Sequence, residues 1–328
     1  MSSAWLIHAP QGYGKWPALQ QAAHALLCES PACGPPDHPA AARLPVALRA
    51  QRACGHCASC ALLQAGTHPD LMIAAPEALE PALGLRGAEE GGARSESKAI
   101  SQDIRIEQIR QLNDWAISSS HRGRAKVALI YPADALNPAA ANALLKTLEE
   151  PPPGVQFLIG AHRLDALLPT IRSRCRQARM ARPSAAEMRQ VFGADADAAL
   201  RAWCQGAIYQ TDPASGLQWA HSLLEALARA GAVAASSLPA PPDHAVAVAA
   251  LLKIGSDLQR MQAGAAALYL PQQQPALSAL ARRVRPEALA HALQRLLALQ
   301  RLAGFPLNQP LAIDALLLEF ARLFSPGD

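Results

Sequence analysis

The chain has 328 residues, 51% of them hydrophobic but only 4% aromatic, with 30 basic and 26 acidic side chains and a net charge of +4. That length passes the roughly 250–300 residues at which one hydrophobic core stops growing, so two or three domains are expected. The charge is too small to argue for nucleic-acid binding by itself, and no uninterrupted apolar run reaches the ~18 residues that a membrane helix needs.

The start, MSSAWLIHAP, has neither the basic region nor the apolar run of a secretory signal, so a cytoplasmic protein is expected. Ala4 to His8 is a short apolar strand that runs into the turn Pro10-Gln11-Gly12-Tyr13-Gly14, and helical periodicity follows from Pro17 to Leu27. Residues 29–53 read as an irregular insertion, followed by a cysteine cluster and a second short strand, Leu71–Ala74. Glu80 to Ser101, rich in Gly, Glu and Ser, reads as a loop. Asp103 opens an amphipathic helix with Ile106, Ile109, Leu112 and Trp115 on or near one face. Then come strand Lys126–Tyr131, helix Pro138–Glu150, the stop Pro151-Pro152-Pro153 and strand Val155–Gly160. Strands spaced by helices indicate a parallel sheet covered on both faces. From Pro183 onward only helical patterns remain, interrupted at Asp212-Pro213, at 236–243 and around Pro271.

The first turn has the context of a phosphate-binding loop, G-x-x-x-x-G-K-[ST], whose backbone amides, lysine and hydroxyl hold phosphates and magnesium. Here the stretch is Ala9 to Trp16. Gly12, Gly14 and Lys15 are kept, the first glycine is Ala9, and the hydroxyl position is Trp16. An indole offers one N–H and no oxygen, so it cannot ligate magnesium. The acidic residues that should follow a second apolar strand are missing too. Leu129-Ile130 runs into Tyr131-Pro132, and Asp134 comes too late. With both magnesium-handling positions gone, no productive hydrolysis is expected, and Gly12, Gly14 and Lys15 retain at most weak ATP contact.

The cysteines are 28, 33, 54, 57, 60, 175 and 204, an odd number with tight two-residue gaps, which suits metal binding in a reducing compartment better than disulfides. Cys54, Cys57 and Cys60 can converge on one zinc ion, which takes four ligands in a tetrahedron. The fourth comes from Cys28, Cys33, His56 or His68. Cys33 lies in a Pro/Gly-rich stretch and His68 in a turn, so both rank below Cys28. A closed four-cysteine site leaves no position for water and is structural.

The run ANALLKTLEEPPP (141–153), preceded by KVALIYPADAL (126–136) and followed by FLIGAHRLDALLPTIRSRC (157–175), closely resembles the clamp-loader branch of the AAA+ proteins. CGHCASC (54–60) with LLQAGTHPDL (62–71) is similar to that family's zinc module. The resemblance implies an α/β AAA+ P-loop domain over 1–182 with a zinc module inserted at about 28–70, a helical lid over 183–222 and a helical collar over 223–328. It places the fourth zinc ligand at Cys28. It implies a hetero-pentameric ring with delta and gamma/tau-like subunits that opens a sliding clamp and loads it on primed DNA for the replicative polymerase. Loss of the hydroxyl and both acids is the pattern of the family's non-hydrolysing member. The motif Ser173-Arg174-Cys175 resembles the one whose arginine reaches into a neighbour's ATP site, a role suited to a planar, permanently charged guanidinium. Cys175 reads as a packed residue, not a nucleophile. Two departures stand out. The family carries a segment ahead of the first strand that is missing before Ala4, so either the start is internal or the segment is lost, and the insertion between Cys28 and Cys54 is long. GAIYQTDPASGL (206–217) contains no nucleotide-sensing arginine.

The basic turn His121-Arg122-Gly123-Arg124-Ala125-Lys126 reads as solvated, Lys146 as a weak DNA-contact candidate, and the leucine stripes at 251–252, 296–297 and 316–318 as core. The competing readings are an ATP-hydrolysing member of the same family and a zinc-dependent DNA-binding module.

Overall fold

The computed structural model describes residues 4–85, 101–193, 198–207, 209, 213–229, 239–240, 244–302 and 309–324. Most of the expected loop 80–101, and most of the interruption at 236–243, lies outside them. The chain divides into two compact units, Met1–Glu187 and Met188–Asp328.

The first unit is built on a parallel sheet. In chain order its elements are β1 (Ala4–His8), α1 (Lys15–Leu27), the short pair β2 (Ala32–Cys33) and β3 (Gln51–Arg52) with α2 (Val46–Arg49) between them, α3 (Ala58–Gln64), β4 (Leu71–Ala74), α4 (Ile106–Ile117), β5 (Lys126–Ile130), α5 (Pro138–Glu149), β6 (Val155–Ala161), α6 (Pro169–Arg174) and β7 (Arg176–Arg179). The main sheet runs β4-β5-β6-β1-β7 with every neighbouring pair parallel. Its central strands are nearly continuous apolar runs because both faces are covered; Leu6, Ile7, Leu129, Ile130, Phe157 and Leu158 are fully buried.

Strand β7 escaped the sequence reading because its residues, Arg-Gln-Ala-Arg, are polar and mostly exposed at the sheet's edge. Helix α1 starts two residues before its apolar period, at Lys15, because Gly14 adopts a left-handed φ of 79° and turns the loop directly into the helix. Asn137 caps α5, its side-chain oxygen accepting the Ala140 N–H at 2.7 Å, and Pro138 fixes the first turn. Helix α4 begins at Ile106, with the Gln108 side chain accepting the Arg105 N–H at 2.9 Å.

The second unit is helical among its described residues: α7 (Ala185–Phe192, shared with the end of the first unit), α8 (Ala198–Cys204), α9 (Pro213–Arg229), α10 (His244–Gln262), α11 (Gln274–Ala281), α12 (Pro286–Leu302) and α13 (Gln309–Arg322). Trp203, Leu224, Leu251, Ile254, Leu289 and Phe320 form its core. Helix α10 lies close enough to α12 that a methyl group on Gly255 would come within 2.4 Å of Leu293. The fully buried Asp257 accepts the N–H groups of Leu268, Tyr269 and Leu270 at 2.7–3.2 Å, which closes the turn after α10. Leu251, Leu296, Leu316 and Leu317 are buried as the leucine stripes suggested, while Leu297 and Leu318 face outward.

Candidate functional site: a glycine loop, a four-cysteine cluster and a paired arginine

The carboxyl ends of β1, β5 and β6 lie side by side, the edge at which parallel α/β sheets bind ligands. The loop after β1 depends on glycine twice, with Gly12 at φ 78° and Gly14 at φ 79°. Lys15, only 1% exposed, does not reach out of this loop. Its Nζ donates to the carbonyls of Ala9 at 2.6 Å and Pro10 at 2.8 Å. Burial lowers its pKa to about 8; the nearby Asp134 carboxylate pulls the other way and Arg43 adds to the lowering.

Where a nucleotide-hydrolysing loop keeps its hydroxyl and its acid, two aromatic rings pack together. The Trp16 and Tyr131 rings sit 5.5 Å apart, and His162, following β6, meets Tyr131 edge-on at 5.5 Å. Tyr131 is pushed above its usual pKa by burial. His162 is pushed down to about 4, first by burial and then by the Lys15 ammonium, against the pull of Asp134. The Asp134 Oδ1 accepts the His162 N–H at 2.6 Å. The aromatic ring of Tyr131 can lie here because residue 160 is glycine; a methyl group there would meet Leu19 Cδ1 and Tyr131 Cδ2, both at 2.7 Å.

A second cation grips the loop from the insertion. Arg43 Nη2 donates to the Tyr13 carbonyl at 2.6 Å and to Glu187 Oε1 at 2.9 Å, and Nη1 donates to the Ala181 carbonyl at 2.8 Å. The Arg43 and Glu187 side chains are 9% and 6% exposed. Nothing in the local sequence marked Arg43. Its partners lie 138 and 144 residues away along the chain at Ala181 and Glu187.

Cys28, Cys54, Cys57 and Cys60 come together with their sulfurs within 4.8 Å of one another, a group that can hold a metal ion. The Sγ separations are 3.9 Å for Cys28–Cys57, 3.9 Å for Cys54–Cys60 and 3.7 Å for Cys28–Cys60. A tetrahedral set with metal–sulfur bonds of about 2.3 Å has edges of about 3.8 Å, so the thiols fit the geometry. Backbone amides already point at the sulfurs: Cys54 N–H at 3.2 Å from Cys28, Cys57 N–H at 3.4 Å from Cys54, and Cys60 N–H at 3.4 Å from Cys57. Burial works to raise Cys57, but the amides of Cys60 and Glu29 bring it down to about 6, whereas burial lifts Cys60 to about 12. Four thiols this close cannot all carry charge without a cation among them. The competitors are elsewhere. Cys33 is exposed on β2, His56 Nδ1 lies 2.9 Å from the Cys54 carbonyl, and His68 Nε2 lies 3.2 Å from Ser59 Oγ.

The basic turn is exposed at residues 121–124, as expected, and its charged ends are also paired within the chain. Arg122 pairs with Glu29, Arg124 donates to the Cys28 carbonyl, and Lys126 donates to the Trp115 and Ser118 carbonyls. The buried Asp70 accepts from Ser120 Oγ and from the amides of His121 and Arg122 at 2.9–3.1 Å. The turn therefore braces the cysteine cluster against the sheet, and charge counting alone did not reveal this. Lys146 is exposed on α5.

Arg174 ends α6 on the surface. One terminal nitrogen donates to the Thr170 carbonyl at 3.0 Å and Ser173 Oγ at 3.4 Å, and the other pairs with Glu149 at the end of α5. Ser173 Oγ donates to the Thr170 carbonyl at 3.0 Å. Cys175 is buried, and burial lifts its thiol to about 11, in line with a packing role.

A parallel α/β domain with a glycine loop at the end of β1 and a cysteine-held insertion after α1 defines a protein of the AAA+ clamp-loader type of fold. The family model described as DNA polymerase III, delta subunit, matches residues 1–184. The DNA polymerase III subunit delta' of Pseudomonas aeruginosa is 37% identical over 183 residues, 56% of this chain and 44% of that protein. The subunit delta' of Escherichia coli is 33% identical over 180 residues, 55% of this chain and 42% of that protein. The DNA polymerase III subunit gamma/tau of Mycobacterium tuberculosis is 29% identical over 174 residues, 53% of this chain and 23% of that protein. The chain belongs to the DNA polymerase III delta-subunit family and is delta-prime-like within it. The match spans less than half the length of these delta' relatives.

Proposed function

We propose that this chain is a non-hydrolysing, delta-prime-like subunit of a DNA polymerase III clamp loader, a fixed arm that acts on ATP bound by its neighbour. The observation that carries this reading is the filled loop. Lys15 is spent on the Ala9 and Pro10 carbonyls, and the rings of Trp16 and Tyr131 occupy the positions that should handle magnesium. Without a metal to neutralise charge on the transferring phosphoryl group, hydrolysis at this site has no electrostatic support.

The same reading gives Arg174 its work. An arginine finger is worth about 10³–10⁵ in rate, so a chain that does not hydrolyse ATP still governs hydrolysis next door. Its half-buried position on the surface at the end of α6, with Ser173 and Cys175 beside it, supports that use. The metal is zinc, held by Cys28, Cys54, Cys57 and Cys60, and its role is structural. It would fix the insertion to α1 and, through Glu29 and Arg122, to the turn before β5. Residues 183–222 act as the lid and 223–328 as the collar that meets delta and gamma/tau-like partners, and through the complex the chain serves the sliding clamp and primed DNA. The family setting and the lack of any described helix long and apolar enough to cross a membrane favour a cytoplasmic site of action.

The test is reconstitution with the ATPase subunits and clamp. Arg174→Ala should depress DNA-stimulated hydrolysis and clamp loading by at least 10²-fold at the interface it serves. Equal rates for wild type and variant would remove the finger.

A further inference from the structure

The guanidinium of Arg174 is already in use. Both of its terminal nitrogens are bound within its own chain, one to Thr170 and Ser173 and the other to the Glu149 carboxylate. With three of its five N–H groups engaged in this way, the fork must give up internal contacts before both terminal nitrogens can meet phosphate oxygens in a bidentate pair.

Glu149 is the last residue of α5 and Glu150 its C-cap. The end of a helix carries the partial negative charge of its unpaired carbonyls, so carboxylates in the last turn oppose the helix dipole. Local helix energetics therefore give no reason for an acid at 149, and its ion-pair partner is a tertiary one, the arginine 25 residues further along.

We infer that Glu149 is the restraint on Arg174: it holds the guanidinium folded against its own chain until the phosphates of a neighbour's nucleotide take it. The inference rests on reading Arg174 as an arginine acting in trans. The strength of the contact suits the task. With side chains 32% and 49% exposed, the pair is solvent-screened, and such pairs shift an equilibrium by about five-fold at most. A triphosphate offers more negative charge and more acceptor oxygens than one carboxylate, so it wins the guanidinium when it is in reach and loses it when hydrolysis or opening withdraws it. Glu149 is thus a positioning residue that sets how often the finger is free, without touching the reacting atoms.

The test compares wild type, Glu149→Gln, Arg174→Ala and the double variant in a reconstituted complex. ATP hydrolysis in the absence of DNA should rise about two- to five-fold in Glu149→Gln, and its suppression by low salt should weaken. It should fall in Arg174→Ala, and the double variant should match Arg174→Ala. If Arg174→Ala leaves the rate unchanged, the finger reading fails and this inference with it. If Arg174→Ala falls while Glu149→Gln stays at or below wild type, the restraint alone is refuted. A separate readout uses the isolated chain. The side-chain N–H order of Arg174, measured by NMR relaxation, should drop in Glu149→Gln. Unchanged order would overturn the pairing whatever the hydrolysis rates show. Glu149 is about half exposed, so the variant should fold normally.

Discussion

At Gly160 the floor of the phosphate-loop region leaves no room for a side chain. A methyl group would press on Leu19 and on the Tyr131 ring, both at 2.7 Å, inside a close-packed interior. Gly160→Ala is expected to destabilise the chain by about 1–3 kcal/mol, read as a lowered denaturation midpoint with an unchanged m-value. His162 makes a second residue-scale case. Its Nδ1 is buried without a partner, its ring meets Tyr131, and burial beside Lys15 holds its pKa near 4 against an ordinary value of 6.5. The sign follows from proton counting. Between pH 6.5 and about 4 the unfolded chain binds the proton and the folded chain does not, so this stability is present above pH 6.5 and is lost as pH falls through that window. His162→Phe keeps the edge contact without the titration. Its urea-unfolding free energy should fall less steeply over the same window than that of wild type, and parallel slopes would count against the assignment.

Among the elements, the insertion after α1 is where sequence and structure part company most. The cysteine spacing was readable because two-residue gaps between thiols have few other uses, while the family resemblance placed Cys28 as the fourth ligand and local composition only ranked Cys33 below it. Arg43 was not readable. It sits in an alanine-rich 3₁₀ turn, Pro39–Arg43, and acquires its role only when folding brings Tyr13, Ala181 and Glu187 to it. The same holds for Arg122 and Arg124, whose charges looked solvated until Glu29 and the Cys28 carbonyl were placed beside them. Central strands β1, β5 and β6 were legible because burial on both faces writes itself as an unbroken apolar run, while β7 at the edge has no such requirement. Two expectations follow. Arg43→Met should cost about 3–5 kcal/mol, because it removes a buried ion pair with Glu187 together with the donors to the Tyr13 and Ala181 carbonyls. Purified chain should carry one zinc ion. Cys28→Ser should lose it and lower the thermal midpoint, whereas Cys33→Ser should retain it. Equal metal content in the two variants would refute the ligand set.

For the molecule as a whole, the proposed function divides labour between a loop whose lysine is bound to the Ala9 and Pro10 carbonyls and Arg174, which Glu149 holds against its own chain until a neighbour's nucleotide takes it. On the proposed reading, the contacts of Lys15 with Ala9, of Trp16 with Tyr131 and of Asp134 with His162 stand together at this loop, so no single substitution should produce turnover. The most direct measurement is phosphate release by the isolated chain with ATP and magnesium. We expect a rate no higher than that of a Lys15→Ala variant, with no dependence on the metal. Magnesium-dependent release that Lys15→Ala abolishes would contradict the account.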